Sequence, residues 1–370
     1  MTQVFLYGTL RHMGLLQIVL GHVPEERLTA ARLTGHYVAR AEGRDFPLIV
    51  EREGSEAEGL LLIDVTAEEK TRLDYYELGF GYELRTVNVS GSEALVYFPH
   101  DGLWQPAEPW SLEYWSEHHW PITQHSAHEL MGLLGEVPAR DLPLYFDRIT
   151  ARAYARHLAE IEPSPSTLRS AQGRSEIKLH ELKRSHLGYF RTDTLTLEHP
   201  RFDGAMSDCI SREVFLTGDA AIVLPYDPRR DRILLIEQFR MGPYGRGDLR
   251  PWTLEPVAGR VDVGETPLQA AKRECVEEAG LNLSKLLPVA NYYPSPGEVS
   301  TFFYTFVGLC DLPDKAAGFG GLDSEAEDIR SHVISFDQAE ALMKSSEINV
   351  GPLLHLLLWL KSERSGLKQE

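Results

Sequence analysis

Apolar residues fall into two rhythms along this chain. In the first hundred residues they come as short runs, VFLYGTL, PLIVERE, GLLLIDV, YELRTVNV and EALVYF, separated by charged and turn-forming residues. Runs of that length, rich in β-branched and aromatic side chains, predict strands. TAEEKTRLDYYE has helical spacing instead, with Thr66 placed as N-cap and two glutamates in the first turn. From 124 to 160 the spacing is again helical, interrupted at Glu136-Val137-Pro138. That stretch either completes a first domain or joins it to a second. Further on, AAIVLPYD and RILLIEQFR read as two buried strands joined by a turn at Asp227-Pro228, and VSTFFYTFVGL as another strand. DQAEALMKSS and the leucine-rich GPLLHLLLWLKSE read as helices.

Between the halves lies 161–178, IEPSPSTLRSAQGRSEIK, rich in Pro and Ser and short of apolar anchors. At 370 residues the chain is long for one domain. The expected division is 1–115, a helical connector and linker at 116–175, and 176–370. The fold class is mixed α/β.

Charge and cysteine usage narrow the function classes. A formal net charge of -18 argues against binding nucleic acid or an anionic membrane. An acidic chain can still take a phosphate ligand when a divalent cation intervenes. Three cysteines without short spacing give no zinc motif and suit a reducing, cytoplasmic address. The N-terminus enters an apolar run at once and lacks the parts of a signal peptide. The apolar run near the C-terminus is too short to span a bilayer.

The densest chemistry is at 259–281, GRVDVGETPLQAAKRECVEEAGL. Glu274, Glu277 and Glu278 stand at i, i+3 and i+4, so on a helix they share one face. Like charges so placed repel unless a cation sits among them. Thr266 can cap the helix, Pro267 suits its first position and Gly280 its end. Leu268, Ala271, Cys275 and Ala279 make an apolar stripe, with the carboxylates expected to face away from it. Glu265 and Arg273 are placed to tie loop to helix. A solvated acidic helix is the plain alternative, but seven specified positions match by chance in only about one chain in a million.

This segment resembles the signature of the Nudix hydrolases, which cleave nucleoside diphosphates linked to another moiety. The resemblance implies an α/β/α sandwich with a mixed sheet. It implies Mg²⁺, with Mn²⁺ as a chemically similar substitute, held by Glu274, Glu278 and the backbone carbonyl of Ala258, with Glu277 supporting catalysis. Cys275 fills a slot that is usually aliphatic. Residues 201–361 are similar to bacterial ADP-ribose pyrophosphatases in RFDGAMSDCISREVF, LLIEQFRMGPY, EPVAGR, YYPSPG and SEAEDIRSHV. Their distinguishing proline corresponds to Pro296, 16 residues after Gly280.

By that likeness Arg240 contacts the diphosphate or ribose, and Arg212 and Glu213 contact substrate in a homodimer. Tyr189 or Phe190 stacks on adenine, while Arg260, Ser295, Pro296 and Gly297 line the site. Glu325 is the general base, and Glu327 a further metal ligand. One departure stands out: the subfamily continues Gly-Thr-Ser-Glu after SPG, whereas this chain has Glu298-Val299-Ser300-Thr301. The implied reaction is Mg²⁺-dependent hydrolysis of ADP-ribose to AMP and ribose 5-phosphate. The alternatives are another nucleoside diphosphate derivative, such as NADH or a nucleotide sugar, and a non-catalytic ADP-ribose sensor.

At the other end, VFLYGTLR puts a glycine turn after a strand, and LDYYELGFGYELRTVNV follows later. Gly8 would let backbone amides approach a ligand. Together the motifs resemble the γ-glutamylcyclotransferase-like α+β barrel. The resemblance implies Glu77 as the proton-shuttling carboxylate and Tyr7, Gly8, Thr9 and Leu10 as substrate holders. A fold does not carry its activity with it, so a binding role stands beside the enzymatic one. His118, His119, His125 and His128 cluster in sequence without the cysteines or carboxylates that would complete a metal spacing.

Overall fold

The computed structural model describes residues 2–170, 172–320 and 328–368. Glu325 and Glu327 therefore lie outside the described residues. The chain forms two compact units, Met1–Ser164 and Pro165–Glu370.

The first unit is built on β1 (Val4–Leu6), β2 (Leu28–Ala41), β3 (Pro47–Leu62), β4 (Tyr82–Val89), β5 (Ser92–Pro99) and β6 (Pro106–Pro109). Their order is β4-β5-β1-β3-β2-β6, with β1 parallel to β5 and antiparallel to β3. The sheet curls into an open barrel. Ser90 at the β4–β5 turn donates its N–H to the carbonyl of Arg32 on β2, which is not its neighbour in the sheet. Phe5, Leu33, Ile49, Val96 and Phe98 fill the interior.

PLIVERE and GLLLIDV are not two strands but the two ends of β3, and its partner β2 was not legible as a strand. The middle of this hairpin carries Gly35 and Gly54 and is exposed on both faces of β3 at 51–54, so it reads as a loop. Cross-strand pairing holds it, with Arg32 facing Glu56 and Glu58 at 3.4 and 3.3 Å.

Helices α1 (Met13–Leu20), α2 (Ala67–Leu78), α3 (Leu112–His118), α4 (Trp120–Met131) and α5 (Pro143–Ile161) complete this unit. Thr66 caps α2 in a reciprocal box with Glu69, as its sequence predicts. The helical stretch after 120 belongs with this unit. α4 and α5 share a buried ion pair in which Arg152 Nε donates to Glu129 Oε1 at 3.0 Å.

The second unit opens with an antiparallel sheet of β7 (Lys178–Leu187), β8 (Arg191–Glu198) and β9 (Ile210–Leu216). β7 is exposed along nearly its whole length, so it lacks the alternation that marks a strand in sequence. The main sheet contains β10 (Ala220–Asp227), β11 (Arg232–Phe239), β12 (Trp252–Glu255), β13 (Val257–Arg260), β14 (Lys285–Tyr292), β15 (Phe303–Leu309), β16 (Phe319–Gly320) and β17 (Ile329–Ser335). It is mixed: β10 runs parallel to β15 and antiparallel to β11 and β13.

Strands β10 and β11 pair only beside their turn, at Tyr226–Ile233 and Asp227–Arg232. Beyond that point β13 pairs with β10 and β12 with β11. β10 is buried nearly throughout, as a strand covered on both faces must be. Ile222, Leu224 and Tyr226 point into a core with α8 (Phe336–Ser345) and α9 (Gly351–Leu367). Ala221 and Val223 alternate to the other face, where α7 (Pro267–Ala279) packs; α6 (Met241–Arg246) follows β11. No described helix is long and apolar enough to cross a membrane.

Candidate active sites

Helix α7 forms as its sequence predicts. Thr266 Oγ1 accepts the N–H of Gln269, and Gly280 closes the helix in the left-handed region at φ 62°. Its carboxylates, however, do not face away from the packing surface. Glu278 is only 3% exposed, and its Oε2 accepts the Ala258 N–H at 3.1 Å. Glu274 lies against Gly259, where a Cβ would overlap its carboxylate. Leu268, expected in the apolar stripe, is 43% exposed, and Ala270, Ala271 and Cys275 make the packing instead. The reason is steric. Small residues on α7 and a glycine on β13 bring helix and strand close, and the carboxylates enter the gap between them. Burial pushes the Cys275 thiol well up, so it behaves as a small apolar side chain.

Arg273 organises the acidic face. Its guanidinium meets Glu265 at 2.7 Å, Glu274 at 2.7 Å and Glu277 at 2.9 Å, and donates to the Arg260 carbonyl at 2.9 Å. These partners, Glu265 first, raise its pKa further. Burial raises the carboxyl of Asp262 in the same loop. Among the described residues no three Asp, Glu, His or Cys side chains already converge in ligating geometry. The donor set nevertheless fits a hard divalent cation. Glu274 and Glu278 both reach the Ala258-Gly259 backbone, and every side-chain donor on offer is a carboxylate oxygen.

Around this helix the structure gathers several of the expected substrate residues. Tyr189 and Phe190, in the β7–β8 turn, are 55% and 40% exposed and so do not serve as core. Their rings meet edge to face at 4.7 Å, and Phe190 packs on Phe215 at 4.6 Å. Arg260 Nη2 donates to Tyr189 Oη at 2.7 Å, with its guanidinium 4.9 Å from the ring centre. Just beyond, the buried pair Arg191–Asp193 (2.7 Å) stiffens the start of β8. Arg240, at the end of β11, forms a bidentate pair with Glu255, both contacts at 2.8 Å. Thr253 Oγ1 donates to the same carboxylate at 2.5 Å. Glu255 was not foreseen as a site residue, although it opens the EPVAGR motif.

Ser295, Pro296 and Gly297 begin a loop strapped to the β9–β10 junction, where Asp219, also not foreseen, is buried. Arg212 and Glu213 stand exposed on β9, opposite Leu195 and Thr194. No described contact joins them to the glutamate helix.

In the first unit, Glu77 sits in the last turn of α2. Solvent reaches part of it, yet protein atoms crowd its carboxyl. That desolvation pushes its pKa up to about 7. Among the described residues no side-chain hydrogen bond holds this carboxylate. Four phenols feel its charge, those of Tyr7, Tyr76, Tyr82 and Tyr97, and all are raised, by burial above all. Three of them are fixed: Tyr7 donates to the Tyr97 carbonyl (2.9 Å), Tyr82 to the Pro47 carbonyl (3.3 Å) and Tyr97 to Asp74 (2.7 Å).

Gly8 follows β1, where a Cβ would run into Pro47, and Thr9 opens a single 3₁₀ turn. Leu10 is 4% exposed and packs inward. The histidines have separate neighbours: His118 stacks on Tyr114, His119 faces Asp45 at 3.6 Å and His125 faces Glu160 at 3.1 Å.

A family model described as NUDIX domain matches residues 216–355, and one described as Gamma-glutamyl cyclotransferase, AIG2-like, matches residues 4–120. Over 206 residues the chain is 37% identical to an ADP-ribose pyrophosphatase of Escherichia coli (strain K12), covering 56% of this chain and 98% of that protein. An ADP-ribose pyrophosphatase of Haemophilus influenzae is 35% identical over 184 residues, 49% of this chain and 84% of that protein. A GDP-mannose pyrophosphatase of Escherichia coli (strain SMS-3-5 / SECEC) is 30% identical over 174 residues, 47% of this chain and 89% of that protein.

Proposed function

The chain belongs to the Nudix hydrolases, and from that premise we propose that its second unit hydrolyses ADP-ribose to AMP and ribose 5-phosphate with Mg²⁺. The coarser activity, hydrolysis of a diphosphate bond in a nucleoside diphosphate derivative, goes with the family and its pyrophosphatase relatives. The observation that carries the finer reading is the double role of Arg260. Its carbonyl takes a hydrogen bond from Arg273 of the glutamate helix, and its guanidinium holds the Tyr189 ring. A nucleotide stacked on Tyr189 or Phe190 therefore has its diphosphate beside the carboxylates.

Glu274 and Glu278, with the Ala258 carbonyl and Glu327, would hold the cation. When bound, the cation supplies Lewis-acid neutralisation of charge on the phosphate oxygens. The chain's own groups do the rest. Arg273 keeps Glu274 and Glu277 in place. Arg240, oriented by Glu255, offers positive charge to the diphosphate. Glu325 accepts a proton from the water that attacks phosphorus, and the anhydride oxygen leaves with the departing phosphate.

A panel of substrates tests this reading. The expected kcat/KM for ADP-ribose exceeds those for GDP-mannose and NADH by about 10-fold or more, a gap of about 1.4 kcal/mol in transition-state binding. A reversed order would move the assignment to another nucleoside diphosphate derivative. The altered loop after Pro296 and the GDP-mannose pyrophosphatase relative are what support that second reading.

For the first unit we propose release of 5-oxoproline from a γ-glutamyl amine, supported by the half-open, proton-poised Glu77. The α-amine attacks the γ-carbonyl carbon and the bond to the leaving amine breaks. Glu77 carries the proton from one nitrogen to the other. Glu77 must be ionised to start, so the rate should rise with pH through about 7. Glu77→Gln should abolish 5-oxoproline release. Chromatographic detection of 5-oxoproline checks both points, and a wild type that releases none defeats the enzymatic reading.

The exposed apolar face of Phe239, Met241, Tyr244 and Trp252 supports a homodimer, which sedimentation at twice the chain mass would reveal. The three free cysteines support a cytoplasmic address.

A further inference from the structure

The loop after Pro296 is where this chain departs from the pyrophosphatases it resembles, and it is strapped down at Glu298, Ser300 and Phe302. Phe215 N donates to the Glu298 carbonyl at 2.8 Å, and Ser300 N donates to the Phe215 carbonyl at 3.0 Å. Ser300 Oγ accepts the Thr217 N–H at 3.0 Å and donates to the Thr217 carbonyl at 3.3 Å. The strap ends at Asp219. Its Oδ1 accepts the Phe302 N–H at 3.1 Å, while Ala220 N donates to the Phe302 carbonyl at 3.1 Å. The Asp219 carbonyl takes the N–H of Val261, next to Arg260, at 3.1 Å. Phe215, held by the loop, is also the ring on which Phe190 packs. Loop, aromatic platform and the end of β13 are thus joined through one short stretch, 215–219.

Asp219 is the costly member of this set. It is 5% exposed, and burial pushes its carboxyl up to about 7 against the pull of the Phe302 N–H. A buried carboxyl with no role would be selected against on stability alone, since desolvation penalises it and an apolar residue would not. Its one described side-chain bond goes to the end of the substrate loop.

We propose that Asp219 is a positioning residue for the loop 295–302, setting where Ser295 and Glu298 stand relative to the Tyr189–Phe190 platform and so governing substrate recognition. The proposal rests on the nucleotide reading of that platform. It predicts an effect on binding of the moiety beyond the stacked base, with the chemistry at the glutamate helix left intact.

The experiment pairs steady-state kinetics on ADP-ribose and GDP-mannose with amide hydrogen exchange across 295–302. Asp219→Ala leaves the Phe302 N–H without its acceptor in a buried place. The expected result is a KM raised about 10-fold with kcat within about 3-fold of wild type, the split that marks lost binding and not lost chemistry. The Phe302 amide should exchange about 10-fold faster. Asp219→Asn keeps an oxygen acceptor at the same place and should restore both values to within about 2-fold. Unchanged KM and unchanged Phe302 protection in Asp219→Ala overturn the proposal, as does a failure of Asp219→Asn to rescue.

Should Asp219→Ala not fold, Ser300→Ala, which removes both side-chain bonds to Thr217, must raise KM and loosen the same amides, and no change in either counts against the proposal. A wild type that hydrolyses neither substrate would sink the nucleotide reading, while the exchange data would still decide whether Asp219 holds the loop.

Discussion

Glu278→Gln should lower turnover of saturating ADP-ribose by about 10²- to 10³-fold, the range seen when one charge-stabilising group is removed from a preorganised site. Glu278 is held on three counts. It sits on α7 between a formed N-cap and a formed C-cap, it is 3% exposed, and its Oε2 takes the Ala258 N–H. Glutamine has the same shape and can keep that hydrogen bond through its carbonyl oxygen. It cannot supply a full negative charge to a cation. Folding should therefore survive while turnover falls, and a thermal melt beside the kinetics separates the two. Near-normal turnover in a folded Glu278→Gln would remove this helix from the catalytic site.

Gly259→Ala should act through its neighbour. A Cβ there overlaps the Glu274 carboxylate, so Glu274 must leave its place or helix α7 must lift from β13. Displacing a group that sets a metal site costs about 10- to 100-fold in metal affinity. The Mg²⁺ concentration for half-maximal activity should rise by that factor. The double variant Gly259→Ala, Glu274→Ala removes the overlap, so it should recover the melting temperature of wild type but not its activity. Recovery of activity in the double variant would show that Glu274 is dispensable and only the helix position matters.

The parts of this protein that could be read from sequence are those governed by local rules. Thr266, Pro267 and Gly280 bound a helix because capping chemistry is local, and the same holds for Thr66 on α2. The i, i+3, i+4 spacing put three glutamates on one face, and Arg273 does hold two of them together with Glu265. Spacing could not say which way that face turns. Glu274 goes inward because Gly259, on the strand β13 that packs against α7, makes room beside it, and Glu278 because it accepts the Ala258 N–H.

Strand β7 escaped because it is exposed along nearly its whole length, and β2 because its middle is only half-buried around Gly35; both are held by cross-strand pairing, which leaves no clear periodic mark. Glu255 and Asp219 escaped because a buried carboxylate has no sequence signature until its partner is known. The partner of Glu255 is 15 residues away and that of Asp219 is 83 away. Glu77 was placed by motif, but its poise near neutrality comes from burial, and the fold brings the phenols of Tyr7 and Tyr82 within reach of its charge.

In the proposed reaction a cation held at Glu274 and Glu278 and a nucleotide stacked at Tyr189 or Phe190 meet at Arg260, where a diphosphate bond breaks. Product analysis of ADP-ribose turnover tests it most directly. With Mg²⁺ present, wild-type protein should yield AMP and ribose 5-phosphate in equal amounts, and chelation of the metal should stop the reaction. Intact ADP-ribose after prolonged incubation with Mg²⁺, or cleavage to ADP and free ribose, would contradict it.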